Sequence, residues 1–242
     1  MKKISTEGNC IYCLKSYSNI TMTRHLGSCE KRKNFFLEMN KKINKKSKSD
    51  DDNKNIVFLL SISSKYYPEY WMFVEVDGRS KLKAIDNFLR DTWLECCGHL
   101  SSFTIKGTRY ESQLDPFPDP FFNKNSKTMA QSTSNIFQPG VNIDYIYDYG
   151  SSTELVLKVI SDIPGKINGK KVKLVARNNE LVFKCTKCKK EIATEICTVC
   201  IHEKDRNRAS FCNNCVNLHR CGEEMALPIV NSPRSGECGY TG

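Results

Sequence analysis

The chain has 242 residues, of which 39% are hydrophobic and 26% charged, with a net charge of +10 and thirteen cysteines. That length suits one mid-sized domain with attachments, or two small domains. No apolar run approaches the roughly 20 residues a membrane helix needs, the longest being Ile56–Leu60, and the opening Met-Lys-Lys-Ile-Ser-Thr-Glu lacks the apolar stretch of a secretion signal. The expectation is an intracellular, cytoplasmic protein with no membrane partner. Thiols stay reduced there and an odd count cannot pair completely, so metal ligation explains the cysteines better than disulfides. The charge is uneven. Residues 1–55 carry thirteen Lys/Arg against six Asp/Glu, whereas residues 56–184 carry sixteen against fourteen.

The first unit spans residues 8–30. Cys10-x2-Cys13-x11-His25-x3-Cys29 supplies two thiolates from a knuckle, then a His and a Cys from one face of a helix. Tyr17, Met22 and Leu26 would form its small core. Residues 31–55 are rich in Lys, Asn, Ser and Asp and read as a basic linker, although the start around Phe35–Met39 could extend a helix. Arg24, Lys31, Arg32 and Lys33 could contact phosphates, so a nucleic acid is a candidate partner for residues 1–55.

Residues 56–183 read as the folded core. Ile56–Ser63 is a buried strand and Trp71–Val76 its antiparallel neighbour, ending at Asp77-Gly78. Leu82, Ile85, Phe88, Leu89 and Trp93 recur at helical spacing, and Gly98 offers a stop. A short hairpin follows across Lys106-Gly107. Asp115–Gly140 reads as a long loop, with Asp115–Pro120 an extended Pro-rich turn. Further strands are expected at 143–149, 153–160 and 172–176. The order gives an α+β fold with a mixed, largely antiparallel sheet and one main helix, a β-grasp being one such arrangement, flanked by small zinc-stabilised modules.

Residues 184–223 carry Cys185-x2-Cys188-x8-Cys197-x2-Cys200-x11-Cys212-x2-Cys215-x3-His219-x-Cys221. Eight N/S ligands fill two tetrahedral sites and leave no open position, which indicates structural and not catalytic zinc. Either Cys185/Cys188 join Cys212/Cys215 while Cys197/Cys200 join His219/Cys221, the preferred cross-brace, or the ligands pair sequentially. Ile192, Ile196, Val199, Phe211, Val216 and Leu218 would form the core. Residues 224–242 read as a flexible tail, with Cys238 a free thiol. Cys96-Cys97 close the main helix, one of them buried.

Three resemblances follow from these residues. The run from Cys10 to Cys29, with Tyr17 in the aromatic position, resembles a C2HC-type zinc finger. Phe211–His219 is similar to a B-box, within the wider class of RING-like cross-braced modules, which mostly bind proteins. In the middle, His99, Leu100, Phe103, Gly107 and Tyr110, followed by Tyr147, Asp148, Tyr149 and Gly150, resemble the plasmid pRiA4b ORF-3-like family, related to proteins described as IS1096 passenger or resolvase-like. That resemblance implies a fold and no settled activity.

No P-loop, nucleophile elbow or H-E-x-x-H is present. His99, Asp144, Asp148 and Glu154 are the polar candidates for chemistry, yet His99 reads as a capping or core residue and Asp148 as a turn residue. The expectation is therefore three zinc ions, no catalytic residues, a protein partner and no small-molecule substrate. Two alternatives are an accessory nucleic-acid binder of a mobile element and a hydrolase or nuclease in the middle domain.

Overall fold

The computed structural model describes residues 6–46, 55–114, 126–167, 169–204 and 209–242. Asp115–Pro120 and most of the Lys/Asp-rich end of the expected linker lie outside them. The chain divides into two compact units, one of Met1–Phe88 with Leu100–Asn179, the other of Leu89–His99 with Glu180–Gly242.

The first unit begins with a small hairpin, β1 (Glu7–Asn9) and β2 (Ser16–Ser18), followed by α1 (Asn19–Ser28) and α2 (Glu30–Lys46). Its centre is an eight-stranded sheet. The strands are β3 (Ile56–Ser64), β4 (Trp71–Asp77), β5 (Ser101–Ile105), β6 (Thr108–Glu111), β7 (Lys127–Thr128), β8 (Asn142–Tyr147), β9 (Thr153–Pro164) and β10 (Val172–Arg177). The spatial order is β10-β4-β3-β9-β8-β5-β6-β7. Every neighbouring pair is antiparallel except β6 and β7. This is an α+β architecture.

The pattern of side chains explains these strands. On β8, Ile143, Tyr145 and Tyr147 are buried while Asn142 and Asp144 are exposed, the period-2 alternation of a sheet with one covered face. All seven residues of β4 are buried, so both its faces are covered. Its Trp71 and Phe73 meet Cys10, Met22, Leu26 and Cys29 in one apolar cluster. The finger is thus built into the first unit's core, against β4 and β10. Gly8 makes this approach feasible: a Cβ there would stand 1.9 Å from the Arg177 carbonyl oxygen.

α3 (Leu82–Leu89) buries Leu82, Ile85 and Leu89, as its spacing predicts. Its Asp86 is fully buried and accepts hydrogen bonds from Ser101 Oγ (2.6 Å), Tyr145 Oη (2.8 Å) and Lys83 Nζ (2.8 Å). These bonds satisfy the buried carboxylate and hold the helix on β5 and β8. The helix then widens into one π-helical turn over Arg90–Leu94. Between β5 and β6, Lys106 and Gly107 both adopt positive φ (47° and 77°), the two-residue turn that matches strand twist.

Two expectations about the flanks change. The segment read as a basic linker is helical as far as Lys46, and at 17 residues α2 is longer than α3. Phe36, packed with Val57 and Ile167, supplies the apolar anchor that composition alone understated. Arg32, read as a phosphate contact, is 4% exposed and bonds Glu75 of β4 at 2.7 Å, so it cannot serve that role.

The second unit carries a three-stranded sheet, β12-β11-β13, from β11 (Glu195–Cys197), β12 (Ser210–Phe211) and β13 (Ala226–Pro228). Two short helices, α4 (Cys200–Lys204) and α5 (Asn213–Val216), follow β11 and β12. Where composition suggested a flexible tail, β13 pairs with β11 and the side chains of Ser232, Arg234 and Tyr240 are buried. The core keeps Ile196, Phe211 and Val216, but Ile192 and Leu218 are exposed. Leu89–His99 belongs to this unit and not to the sheet domain.

Candidate metal centres

Four groups of Cys and His side chains converge so that their ligand atoms lie within 4.8 Å of one another. Three use the twelve residues expected from spacing. Cys10, Cys13, His25 and Cys29 form one. Cys185, Cys188, Cys212 and Cys215 form the second, and Cys197, Cys200, His219 and Cys221 the third. The C-terminal eight are therefore grouped as the cross-brace, with sequential pairs interleaved.

The local chain shape suits ligation. In the N-terminal group, Leu14 N donates to Cys10 O at 2.8 Å and Leu14 takes φ 63°. The same device recurs at Cys185: Lys189 N donates to Cys185 O at 2.9 Å with φ 57° at Lys189. Each closes a tight knuckle that turns both cysteines of a C-x-x-C inward. Leu14 and Lys189 hold a conformation that a side chain with a Cβ seldom adopts, so the knuckle is stabilised by its surroundings. The other two pairs work from helices. Cys200 opens α4, and Cys212 caps α5, which carries Cys215.

The distances fit a tetrahedral ion. With Zn–S near 2.3 Å and Zn–N near 2.0–2.1 Å, tetrahedral ligands stand about 3.8 Å (S to S) and about 3.5 Å (S to N) apart. Cys200 Sγ and Cys221 Sγ are 3.8 Å apart, and Cys188 Sγ and Cys212 Sγ 4.0 Å. Cys13 Sγ lies 3.3 Å from His25 Nε2, and Cys200 Sγ 3.3 Å from His219 Nε2. Both imidazoles are oriented by aromatic neighbours: Tyr17 stacks on His25 with centroids 4.0 Å apart, and Phe211 lies 4.3 Å from His219.

The electrostatics favour a cation. Burial, together with the neighbouring Cys13, pushes the Cys10 thiol up to about 11, although backbone N–H groups of Cys13 and Tyr12 oppose this. Burial and adjacent thiols likewise raise Cys200 to about 11 and Cys215 to about 12. Crowded thiols of this kind ionise readily only when a metal neutralises them. Cys185 differs. Burial raises it, but backbone hydrogen bonds from Cys188, Cys212 and Lys187 outweigh that and draw it down to about 6. Burial, and then Lys15, lowers the His25 imidazole, which keeps it neutral and able to ligate.

The fourth group, Cys96, Cys97, His99 and Cys238, was not legible as a site in the sequence. Adjacent cysteines and a single distant one give no ligand spacing. Neither Cys96 nor Cys97 is buried, contrary to expectation.

The candidates for chemistry have other structural roles among the described residues. Asp148 occupies a turn, with φ 64° and its Oδ1 accepting from Gly150 N at 2.9 Å. Glu154 is held by Lys65 Nζ (2.6 Å) and Tyr66 Oη (2.9 Å), and its carboxyl is lowered first by that lysine. Asp144 is exposed on β8. His99 joins the fourth cysteine group.

No family model matches the chain, and no curated protein matches it. Among solved structures, the chain is similar to a protein of unknown function from Methanosarcina mazei Go1, with 16% identity and a TM-score of 0.42, over 51% of this chain and 69% of that one.

Proposed function

We propose that this chain is a zinc-stabilised adaptor, with three structural zinc ions held by Cys10/Cys13/His25/Cys29, Cys185/Cys188/Cys212/Cys215 and Cys197/Cys200/His219/Cys221. The observation that carries the reading is that each group is a complete set of four N/S ligands, with no position left for water or substrate. The zinc then holds recognition surfaces in shape. Large apolar side chains stand exposed on both zinc-bearing regions, Leu14 (77%) and Ile20 (75%) on the finger, Ile192 and Leu218 on the C-terminal module, and a protein partner would cover them. The pRiA4b ORF-3-like resemblance is proposed for the sheet domain alone and adds no activity.

Cobalt substitution tests this. Closed sites give thiolate–cobalt spectra that added azide or cyanide at modest concentration leaves unchanged. An anion-dependent spectral shift, or fewer than three zinc per chain in the purified protein, overturns the reading.

A second reading has a specific observation behind it. Lys31, Lys33 and Lys41 are exposed on α2, beside the finger, in the most basic part of the chain. They would contact phosphates of a nucleic acid as positioning contacts. Gel shifts at 50–200 mM salt test it: phosphate contacts give a steep salt slope, and absence of binding at the lowest salt removes the idea.

A further inference from the structure

We infer that Cys96, Cys97, His99 and Cys238 form a fourth, surface Cys3His zinc site in the second unit. Their ligand atoms lie within 4.8 Å of one another although Cys238 is 139 residues from His99. His99 presents Nε2 to Cys238 Sγ at 3.2 Å. The corresponding contact is 3.3 Å in both His-containing groups described above, again through Nε2. The three histidines are thus placed alike against their thiol partners.

The approach of the two segments is built into the fold. Ser232 Oγ donates to the Trp93 carbonyl at 2.6 Å and accepts from Arg234 N at 2.9 Å, which fixes the chain before Cys238 against the chain before Cys96. Gly98 turns the first segment with φ 73°, and its N–H is held by Glu95 Oε1 at 2.6 Å. Cys238 itself adopts φ 45°, between Gly236 and Gly239, which also have positive φ. A left-handed cysteine is strained and persists only where its surroundings hold it.

Charge also fits. Three thiolates and a neutral imidazole around Zn²⁺ leave one net negative charge. Arg234, fully buried, donates Nη2 to Cys96 Sγ at 3.3 Å and supplies the balancing cation. With this site included, the four groups take up all thirteen cysteines and three of the four histidines. Unlike the other three, this group has two exposed members, Cys97 and Cys238, so its ion should be the first removed by a chelator.

The test is native mass spectrometry of the full chain, purified under a phosphine reductant with zinc in slight excess. Four zinc per chain is expected, falling to three in Cys238→Ser and in His99→Ala. Alkylation mapping of the zinc-loaded wild type guards against misfolded variants, and it should find Cys96, Cys97 and Cys238 protected. Three zinc per chain, with those three cysteines alone labelled rapidly, overturns the inference and leaves the three-site adaptor reading standing. Fewer than three overturns both.

Discussion

Replacing Arg32 with Met measures how firmly the finger and α2 are tied to the sheet. Arg32 Nε donates to Glu75 Oε1 at 2.7 Å, and its Nη1 donates to the Leu26 carbonyl at 3.2 Å. Glu75 is fully buried. Its other oxygen accepts from Tyr12 Oη at 2.5 Å, and Lys173 Nζ donates to that phenol at 3.0 Å. Burial, then Glu75, raises the Tyr12 phenol, so it stays a donor. Removing one partner of a buried pair typically costs 3–5 kcal/mol, because the other charge is left uncompensated. Two features place this pair at the lower end. Tyr12 still satisfies the carboxylate, and Arg32 Nη2 has no hydrogen-bond partner among the described residues. Loss of the guanidinium over Phe36, 5.4 Å from the ring centroid, adds about 0.5 kcal/mol. The expected cost is about 3.5 kcal/mol. Urea unfolding at fixed free zinc reads it, in a Trp93→Phe background so that Trp71 reports on the first unit. Arg32→Met with Glu75→Gln should cost less than the sum of the singles, with a coupling of about 3 kcal/mol. A loss under about 1 kcal/mol for Arg32→Met, or additive singles, refutes the argument.

Further outcomes follow from the same structure. Gly8→Ala forces a Cβ to within 1.9 Å of the Arg177 carbonyl, so β1 must move off β10; a loss of about 2 kcal/mol is expected, and an unchanged urea midpoint would contradict the close packing. Chelation should destabilise the sheet domain together with the finger, because Cys10 and Cys29 pack with Trp71 and Phe73; Trp71 fluorescence unaltered by metal removal would show the finger to be independent. Zinc affinity of the N-terminal site should rise with pH. Each of the three thiols gives up a proton on ligation, and the Cys10 thiol, raised to about 11, contributes about tenfold tighter binding per pH unit near neutrality by itself. In the metal-free protein the sign reverses: the stability from the protonated Cys10 is complete below 9 and is lost as pH rises through 11. His25, lowered from 6.5, adds to zinc loss only on acidification below that value. Competition with a chromophoric chelator from pH 6 to 8 measures the slope, and a flat profile would be inconsistent with protonated thiols.

Local periodicity and ligand spacing carried much of this protein. The apolar strands from Ile56 to Arg177, the helix through Leu82, Ile85 and Leu89, and the Lys106-Gly107 turn are all set by neighbouring residues, so the α+β class was readable directly. The grouping of twelve regularly spaced candidate ligands was readable for the same reason, since a C-x-x-C delivers two thiols to one place whatever the rest of the chain does. Tertiary structure decided what depended on distant partners. Arg32 became a buried ion-pair member because β4 offers Glu75, and α2 held its length where Phe36 found Val57 and Ile167. The interleaving of the C-terminal pairs depended on how β11, β12 and β13 align. Cys96, Cys97, His99 and Cys238 converge where Ser232 anchors the end of the chain to Trp93, a contact between residues too far apart for any spacing rule to register.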